Sequence, residues 1–378
     1  MRAYLASILR AAIGPVTAFG SPERRTYWLF LVVAGAIAAM VWRRHARRVG
    51  LRRFFLAPEH WLHRSAVADY GFVFVRFVVG AAVFAPLAVS VVAVAGGIEE
   101  ALATAVGPAR WTLDRDTGVL LFTVVGFVAD DFTRYVVHRA MHAFPALWQI
   151  HQVHHSAEVL TPATVYRVHP VEVFLHQVRG RATLGLVCGV FAYVAPGATW
   201  VEVLGVDVMT FAWCALGANL RHSQVWLSYG PSIERLVISP AQHQLHHSAD
   251  RAHWDRNFGS AFAVWDALFG TLLRAGPRQR LRYGLEAPAR NHAHAPLAML
   301  WRPVVGAVSV LLALRPRAGA ARLHDRLGPP LRERAADHER AAEDERDQDH
   351  ERDQLAARLA AAEVGGVVRR GAHPRTIA

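Results

Sequence analysis

Residues 117–142 read TGVLLFTVVGFVADDFTRYVVHRAMH, an apolar run that passes into charged residues and ends with two histidines four positions apart. The apolar part, 119–129, is too short to cross a hydrocarbon core of about 30 Å by itself. The predicted helix therefore continues through Asp130, Asp131 and Arg134. Charges at that depth are costly in lipid and usually turn toward the interior of a bundle. The stretch predicts a membrane helix that ends at a histidine-bearing surface.

The composition of the whole chain also favours a membrane protein. Its 378 residues are 53% hydrophobic and 19% charged, against about 45–50% and about 25% for soluble domains. These values exclude disordered, collagen-like and disulfide-scaffold classes for the main body. All 42 basic residues are arginine, and the net charge is +12. The arginines cluster beside apolar runs, which favours an anionic membrane surface over nucleic acid.

Other apolar stretches predict further helices that cross or partly cross the membrane. They are Tyr27–Trp42, Gly71–Gly97, a hairpin over Thr183–Leu220 broken at Pro196, and Ala298–Leu314, which either spans or lies in the interface. We predict an all-α polytopic bundle of about four to six spanning or half-spanning helices, with a histidine-rich cap. Cys188 and Cys214 lie within apolar runs and are interpreted as small buried hydrophobes.

Arginine placement predicts the orientation of these spans. Six arginines fall within Arg43–Arg53, directly after the first span, which is typical of a cytoplasmic loop. Alternation of spans then places residues 139–181 and 221–282 on the cytoplasmic side, and both are arginine-rich. We expect a multi-pass protein, of a bacterial plasma membrane, with its histidines facing the cytoplasm.

Four regions are expected along the chain. Residues 1–114 hold the N-terminal spans and the arginine-rich loop, and 115–290 hold the histidine boxes and the membrane hairpin. Residues 291–316 form a C-terminal apolar segment. Residues 317–378 are dense in Arg, Glu, Asp and Ala, and we expect a solvated helix or a disordered tail.

Three histidine boxes carry the chemistry. They are His138 and His142; His151, His154 and His155; and His243, His246 and His247. Positions i, i+3 and i+4 share a face of a helix, so each box presents its imidazoles together. Imidazole is the commonest neutral metal ligand, and eight are too many for one ion. The boxes therefore predict a dinuclear site with about four or five ligands for each ion.

Several other residues are candidates for the same site. His222 follows the hairpin and is expected as a ninth ligand. Five more residues are possible ligands or partners that orient a ligand through its distal ring nitrogen: His169, Asp130, Asp131, Glu172 and Asn219. A pairing within the helix, of Asp131 with Arg134 or Tyr135, is an equal alternative. No catalytic residue is predicted beyond the metal ligands.

These motifs resemble the fatty acid hydroxylase/sterol desaturase superfamily of membrane di-iron enzymes. The resemblance covers roughly residues 115–275. It rests on the three boxes, on Ser239-Pro240 before the third, and on Asn257-Phe258-Gly259 with Trp265-Asp266 and Phe269-Gly270-Thr271. Many members carry another histidine where this chain reads Leu216-Gly217-Ala218-Asn219, which makes His222 the natural substitute.

The resemblance implies two iron ions, O2 as co-substrate, and hydroxylation or desaturation of a fatty acyl chain or sterol-like lipid, with hydroxylation slightly favoured. Electrons would come from a separate redox protein, since the sequence shows no flavin, haem or ferredoxin motif. Two alternatives stay open at this point. One is a zinc-dependent membrane hydrolase, and the other is a non-enzymatic metal-binding membrane protein.

Overall fold

The computed structural model describes residues 2–84, 87, 89–109, 112–204, 206–285 and 294–314. The described residues lie within one compact unit, Met1–Arg315. The charged tail expected over 317–378 lies outside them, so that prediction stays open.

Helices dominate this part of the chain, as the sequence predicted. The α-helices of the described residues are α1 (Arg2–Ala12), α2 (Gly14–Thr17), α3 (Trp28–His45), α4 (Leu51–Leu56), α5 (Pro58–Trp61), α6 (Arg64–Val79), α7 (Val91–Val106), α8 (Arg115–Ala143), α9 (Pro145–His155), α10 (Pro170–Val194), α11 (Val208–Ala215), α12 (Pro240–His246), α13 (Val264–Leu268) and α14 (Pro296–Ala313). A π-helical segment, Gly80–Phe84, extends α6. One two-stranded antiparallel sheet joins β1 (Glu202–Val203) to β2 (Val206–Asp207), with Glu202 opposite Asp207.

Three of these helices are long and apolar enough to cross a membrane: α3, α6 with its π extension, and α14. Only 17%, 22% and 11% of their apolar windows are buried inside the protein. Large apolar side chains such as Met40 and Leu311 are exposed on them. Surfaces of this kind are stable when lipid covers them. The first and last predicted spans therefore correspond to α3 and α14.

Two predicted boundaries were wrong. The single span expected over Gly71–Gly97 is instead divided between two helices. The first, α6, begins at Arg64, and the second, α7, begins at Val91. Pro86 lies in the sequence between them, and proline has no N–H to continue a helix.

The hairpin expected over Thr183–Leu220 is also different. The helix α10 begins at Pro170, where proline occupies the first turn and the His169 ring accepts a hydrogen bond from the Val171 N–H. Its return helix, α11, has only eight residues.

The helices α8 and α10 form the frame that carries the site. Phe122 of α8 packs with Val187 and Phe191 of α10 in one buried cluster. On its other side α10 lies very close to α7. A Cβ at Gly189 would come within 2.5 Å of the Ala95 carbonyl oxygen, so only glycine permits this contact.

Candidate metal centre

Local sequence signals fix the residues at which the histidine-bearing helices α9 and α12 begin. Pro145 occupies the first turn of α9, where its missing N–H costs nothing. At α12 the Ser239 Oγ accepts from the Gln242 N–H, and the Gln242 Oε1 accepts from the Ser239 N–H. This reciprocal cap fixes where the helix begins. The turn positions of the boxes therefore follow from local sequence signals.

All nine predicted histidine ligands come together in two groups. Within each group the candidate ligand atoms lie within 4.8 Å of one another. The first group is His138, His142, His151, His155 and His246, and the second is His154, His222, His243 and His247. The groups are adjacent, since the ring centroids of His155 and His247 are 4.6 Å apart. The helices α9 and α12 therefore supply histidines to both groups, whereas α8 supplies the first group only.

Hydrogen bonds determine which ring nitrogen faces inward. The Nδ1 atoms of His138, His154 and His246 lie 2.8, 3.1 and 2.8 Å from the backbone carbonyl oxygens of Phe258, Arg167 and Arg256. A carbonyl oxygen can only accept, so each Nδ1 carries the proton and donates it. Each Nε2 then keeps a free lone pair, as a metal ligand requires.

The ring of His151 is oriented in the same way, by a carboxylate in place of a backbone carbonyl. The Nδ1 of His151 lies 2.9 Å from the Glu172 Oε1, and both side chains are buried. A carboxylate partner makes the imidazole a stronger ligand as well as orienting it. Of the five possible ligands or orienting partners, Glu172 therefore contacts a box histidine directly.

Within the second group, hydrogen bonds alone cannot satisfy the imidazoles. The Nε2 atoms of His222, His243 and His247 lie 3.1, 3.2 and 3.2 Å apart in all three pairs. A neutral ring nitrogen either donates or accepts, so a triangle of three always leaves one pair with matching roles. One ion bound to all three nitrogens removes the conflict, because ligand atoms about 2.1 Å from a metal stand roughly 3.0–3.4 Å apart.

In the first group, too, a bound ion would satisfy ring nitrogens that hydrogen bonds leave unsatisfied. The Nε2 atoms of His138, His142 and His246 are buried and have no hydrogen-bond partner among the described residues. A buried polar atom without a partner is costly. The donor set, neutral nitrogens with lone pairs turned to a common point, fits a first-row transition metal such as iron.

The rings are uncharged at neutral pH. Burial lowers the pKa of His151 to about 3. Burial, and next the neighbouring His151, lower the pKa of His154 to about 3. Metal ligation requires the neutral imidazole, so the site needs little proton release before an ion binds.

Two aspartates hold the loop that supplies carbonyl acceptors to the site. Asp266 accepts from the Phe258 and Gly259 N–H groups at 2.8 and 2.7 Å and from the Thr271 hydroxyl at 2.6 Å. Asp131 of α8 accepts from the N–H groups of residues 261 and 262 and from the indole N–H of Trp265. Asp131 therefore acts on the loop rather than on an imidazole. The supporting role of Asp266 was not predicted, although a buried aspartate between apolar residues was a visible signal.

Three of the additional candidates do not contact the histidine groups. His169 caps α10, and its Nε2 lies 2.8 Å from the Leu300 carbonyl oxygen. Asp130 pairs with Arg134 and Arg179, both at 2.8 Å. The Asn219 amide donates to the Arg25 carbonyl at 2.7 Å. His222, by contrast, lies fully within the second group.

A mainly apolar cavity of about 540 Å³ lies beside the second group. Its walls include Ala34, Gly35 and Ala38 of α3, Phe74 of α6, and Tyr166. A much smaller space adjoins it. Thr26 and Asn219 line both spaces, and His222 lines the smaller one. The cavity therefore comes close to His222 of the second group.

The segment that contains all nine histidines is similar to a known protein family. The family described as Fatty acid hydroxylase matches residues 123–271, which confirms the resemblance to the fatty acid hydroxylase/sterol desaturase superfamily.

Curated relatives match the same part of the chain. Alkylglycerol monooxygenase of Homo sapiens is 26% identical over 162 residues, 43% of this chain and 32% of that protein. Ornithine lipid hydroxylase OlsE of Rhizobium tropici is 28% identical over 152 residues, 39% of this chain and 40% of that protein. Lathosterol oxidase of Mus musculus is 28% identical over 153 residues, 40% of this chain and 45% of that protein. The matches thus span less than half of each relative. No solved structure matches the chain significantly.

Proposed function

We propose that this protein is an O2-dependent oxidoreductase that hydroxylates, or desaturates, an unactivated C–H bond of a membrane lipid at a di-iron centre. One observation carries the proposal: nine imidazoles converge in adjacent groups of five and four. The names of the relatives, which include a monooxygenase, a hydroxylase and a sterol oxidase, support lipid oxidation. Hydroxylation is the favoured outcome.

Each group would hold one iron ion. One ion would be bound by His138, His142, His151, His155 and His246, and the other by His154, His222, His243 and His247. When bound, the iron pair supplies the redox chemistry by which O2, two electrons and two protons convert R–H to R–OH and water. The chain's own residues orient the ligand rings, through Glu172 and through the carbonyls of Phe258, Arg167 and Arg256.

The apolar cavity is the proposed site for the lipid chain. It lies between α3 and α6, two of the helices that are able to cross a membrane, so a lipid can reach it from the bilayer. Most of its lining is apolar, which suits an acyl chain or a sterol-like ring system. The Thr26 and Tyr166 hydroxyls, 2.6 Å apart, form a polar part of the cavity wall, and Thr26 also lines the smaller space next to His222. This helix pair precedes residues 123–271, whereas Tyr166 and Asn219 lie inside them. Substrate choice would therefore depend on residues both outside and inside the matched segment.

The orientation and partners form part of the same proposal. The arginines of Arg43–Arg53 would keep the site on the cytoplasmic side of a bacterial plasma membrane. A separate redox protein on that side would supply the electrons. Residues 1–114 would then serve as membrane anchor and lipid channel, 115–290 as the catalytic domain and 291–316 as a further membrane segment.

The test measures metal and product together. Purified protein should contain two iron ions per chain by elemental analysis. Cells that express it should accumulate a lipid heavier by one oxygen atom, with the label from 18O2. Replacing His246→Ala should abolish product and lower the iron content, whereas His45→Ala, an exposed histidine at the end of α3, should change neither.

The rival functions make different predictions for the same samples. A zinc hydrolase would contain zinc and act without O2 or reductant. A metal-binding protein without enzymatic activity would yield no modified lipid. Either result, or full activity of the His246 variant, would contradict the proposal.

A further inference from the structure

A second cavity, separate from the apolar one, lies between α8, α10 and the start of α11. Its volume is about 360 Å³. None of the nine histidines lines it. Its walls combine an apolar side, with Phe127, Leu184 and Trp200, and a strongly polar side, with Arg134, Arg179, Arg181, Gln177, Thr183 and Thr210. The cavity is therefore amphipathic, like the junction between the headgroup and the chain of a lipid.

Arginines outnumber the carboxylates that can neutralise them. Asp130 pairs with both Arg134 and Arg179 at 2.8 Å. The other carboxylate in the lining, Asp207, accepts a hydrogen bond from the Thr210 N–H at the first turn of α11. Arg181 donates to the Val89 carbonyl at 3.4 Å. Three guanidinium groups thus face two carboxylates, of which one is engaged by a helix terminus.

Arg179 is the best-placed donor of the three. Its side chain is only 8% exposed. One terminal nitrogen binds the Thr133 hydroxyl at 2.7 Å and the Asp130 carbonyl at 3.0 Å. Its Nε is buried and has no hydrogen-bond partner among the described residues. A buried guanidinium donor without an acceptor is costly, and an anionic oxygen in the cavity would satisfy it.

The packing around the cavity is built to keep its shape. Gly126 of α8 lies directly against the Trp200 ring, and a Cβ there would come within 2.3 Å of ring carbons. Trp200 in turn packs on Phe122 with a centroid distance of 4.4 Å. The apolar side of the cavity is thus held in place by the bundle core.

We infer that this cavity binds an anionic group of the phosphate or carboxylate class, with Arg179, Arg134 and Arg181 as its donors. Guanidinium groups recognise such oxyanions with paired, charge-assisted hydrogen bonds. An anionic lipid headgroup fits the amphipathic lining, with its first chain carbons against Trp200. The cavity lies near the histidines, because Arg134 is one turn, about 6 Å, along α8 from His138.

The experiment is a binding titration of the full-length, metal-loaded protein by native mass spectrometry. The probes are phosphatidylglycerol, phosphatidylcholine and inorganic phosphate. Wild-type protein should bind phosphatidylglycerol at least about tenfold more tightly than phosphatidylcholine. Arg179→Gln should weaken that binding about tenfold or more, and Arg181→Gln roughly fivefold. Arg115→Gln, an exposed arginine at the start of the same helix α8, is the matched control and should have no effect.

The possible results separate cleanly. Competition by millimolar inorganic phosphate, with loss in the arginine variants, would support the site and identify a free anion as its ligand. Equal binding of the two lipids together with no phosphate binding would overturn the inference. If Arg179→Gln fails to fold, Arg181→Gln decides, because an unchanged affinity in that variant would equally overturn it. None of these outcomes depends on lipid oxidation, so the proposed function is tested separately.

Discussion

Replacement of Glu172 by leucine is the sharpest test of how the protein tunes its proposed ligands. Glu172 lies at the start of α10 and contacts His151 through a buried hydrogen bond of 2.9 Å. Leucine has a similar volume and no acceptor, so the His151 Nδ1–H would lose its partner. The ring would then be free to turn, and its Nε2 would no longer be held toward the first histidine group.

The expected magnitude follows from that single hydrogen bond. Burial raises the pKa of Glu172 to about 7, so the carboxyl is mostly ionised above that pH. There, a hydrogen bond to a charged group contributes about 1.5–3 kcal/mol, which corresponds to roughly a 10- to 100-fold change in binding constant. Partners that orient a metal ligand have effects of about the same size on metal affinity. Because Glu172 contacts only the first group, we expect one iron ion to weaken and the other to stay. Glu172→Gln keeps an acceptor oxygen and should lose less than about tenfold.

The assay is chelator competition followed by elemental analysis and Mössbauer spectroscopy of the two iron sites. Glu99→Leu, on the exposed face of α7, serves as the control. Retention of two equally tight irons in Glu172→Leu would refute the reasoning. An iron loss as large in Glu172→Gln as in Glu172→Leu would refute it too, because only the leucine variant lacks the acceptor oxygen.

Three further predictions concern the cavity, the pH and the supporting loop. Gly35→Phe should lower lipid oxidation roughly tenfold or more with iron retained. A Cβ at this position meets no atom within 4 Å, so the new ring would fill the cavity. Ala36 is an exposed neighbour, and the control variant Ala36→Phe should leave turnover unchanged. The metal-free protein should lose stability as pH falls below about 6.5, since the unfolded chain then takes up protons while His151 and His154, with folded pKa values of about 3, stay neutral. Together the two rings should lower the free energy of unfolding by about 3 kcal/mol at pH 5.5. A melting temperature that is the same at pH 7.5 and pH 5.5 would contradict this. Asp266→Ala removes three hydrogen bonds to the carboxylate. It should lower the free energy of unfolding, measured with denaturant, by about 3 kcal/mol. The variant should also lose iron to a chelator faster.

The sequence was most informative where the structure depends on local periodicity. The spacing of each box matches positions i, i+3 and i+4, which share one face of a helix. The helices α9 and α12 begin at clear start signals, Pro145 and Ser239. The long helix through Asp130 and Asp131 was likewise predicted and is continuous from Arg115 to Ala143. Boundaries were predicted less well. The starts of α6 and α10 were missed because apolar runs mark the lipid-facing part of a helix and not its polar first turns.

The sequence by itself determined that nine histidines would be presented on helical surfaces next to membrane segments, since helix periodicity and apolar length are local properties. Only the tertiary structure decided how those histidines divide into groups of five and four. It also decided that His222 joins them while His169 contacts the Leu300 carbonyl instead. These contacts join residues far apart in the chain, as between His138 and Phe258, which are 120 positions apart. Which distant groups meet depends on how whole helices pack, and no local pattern contains that information.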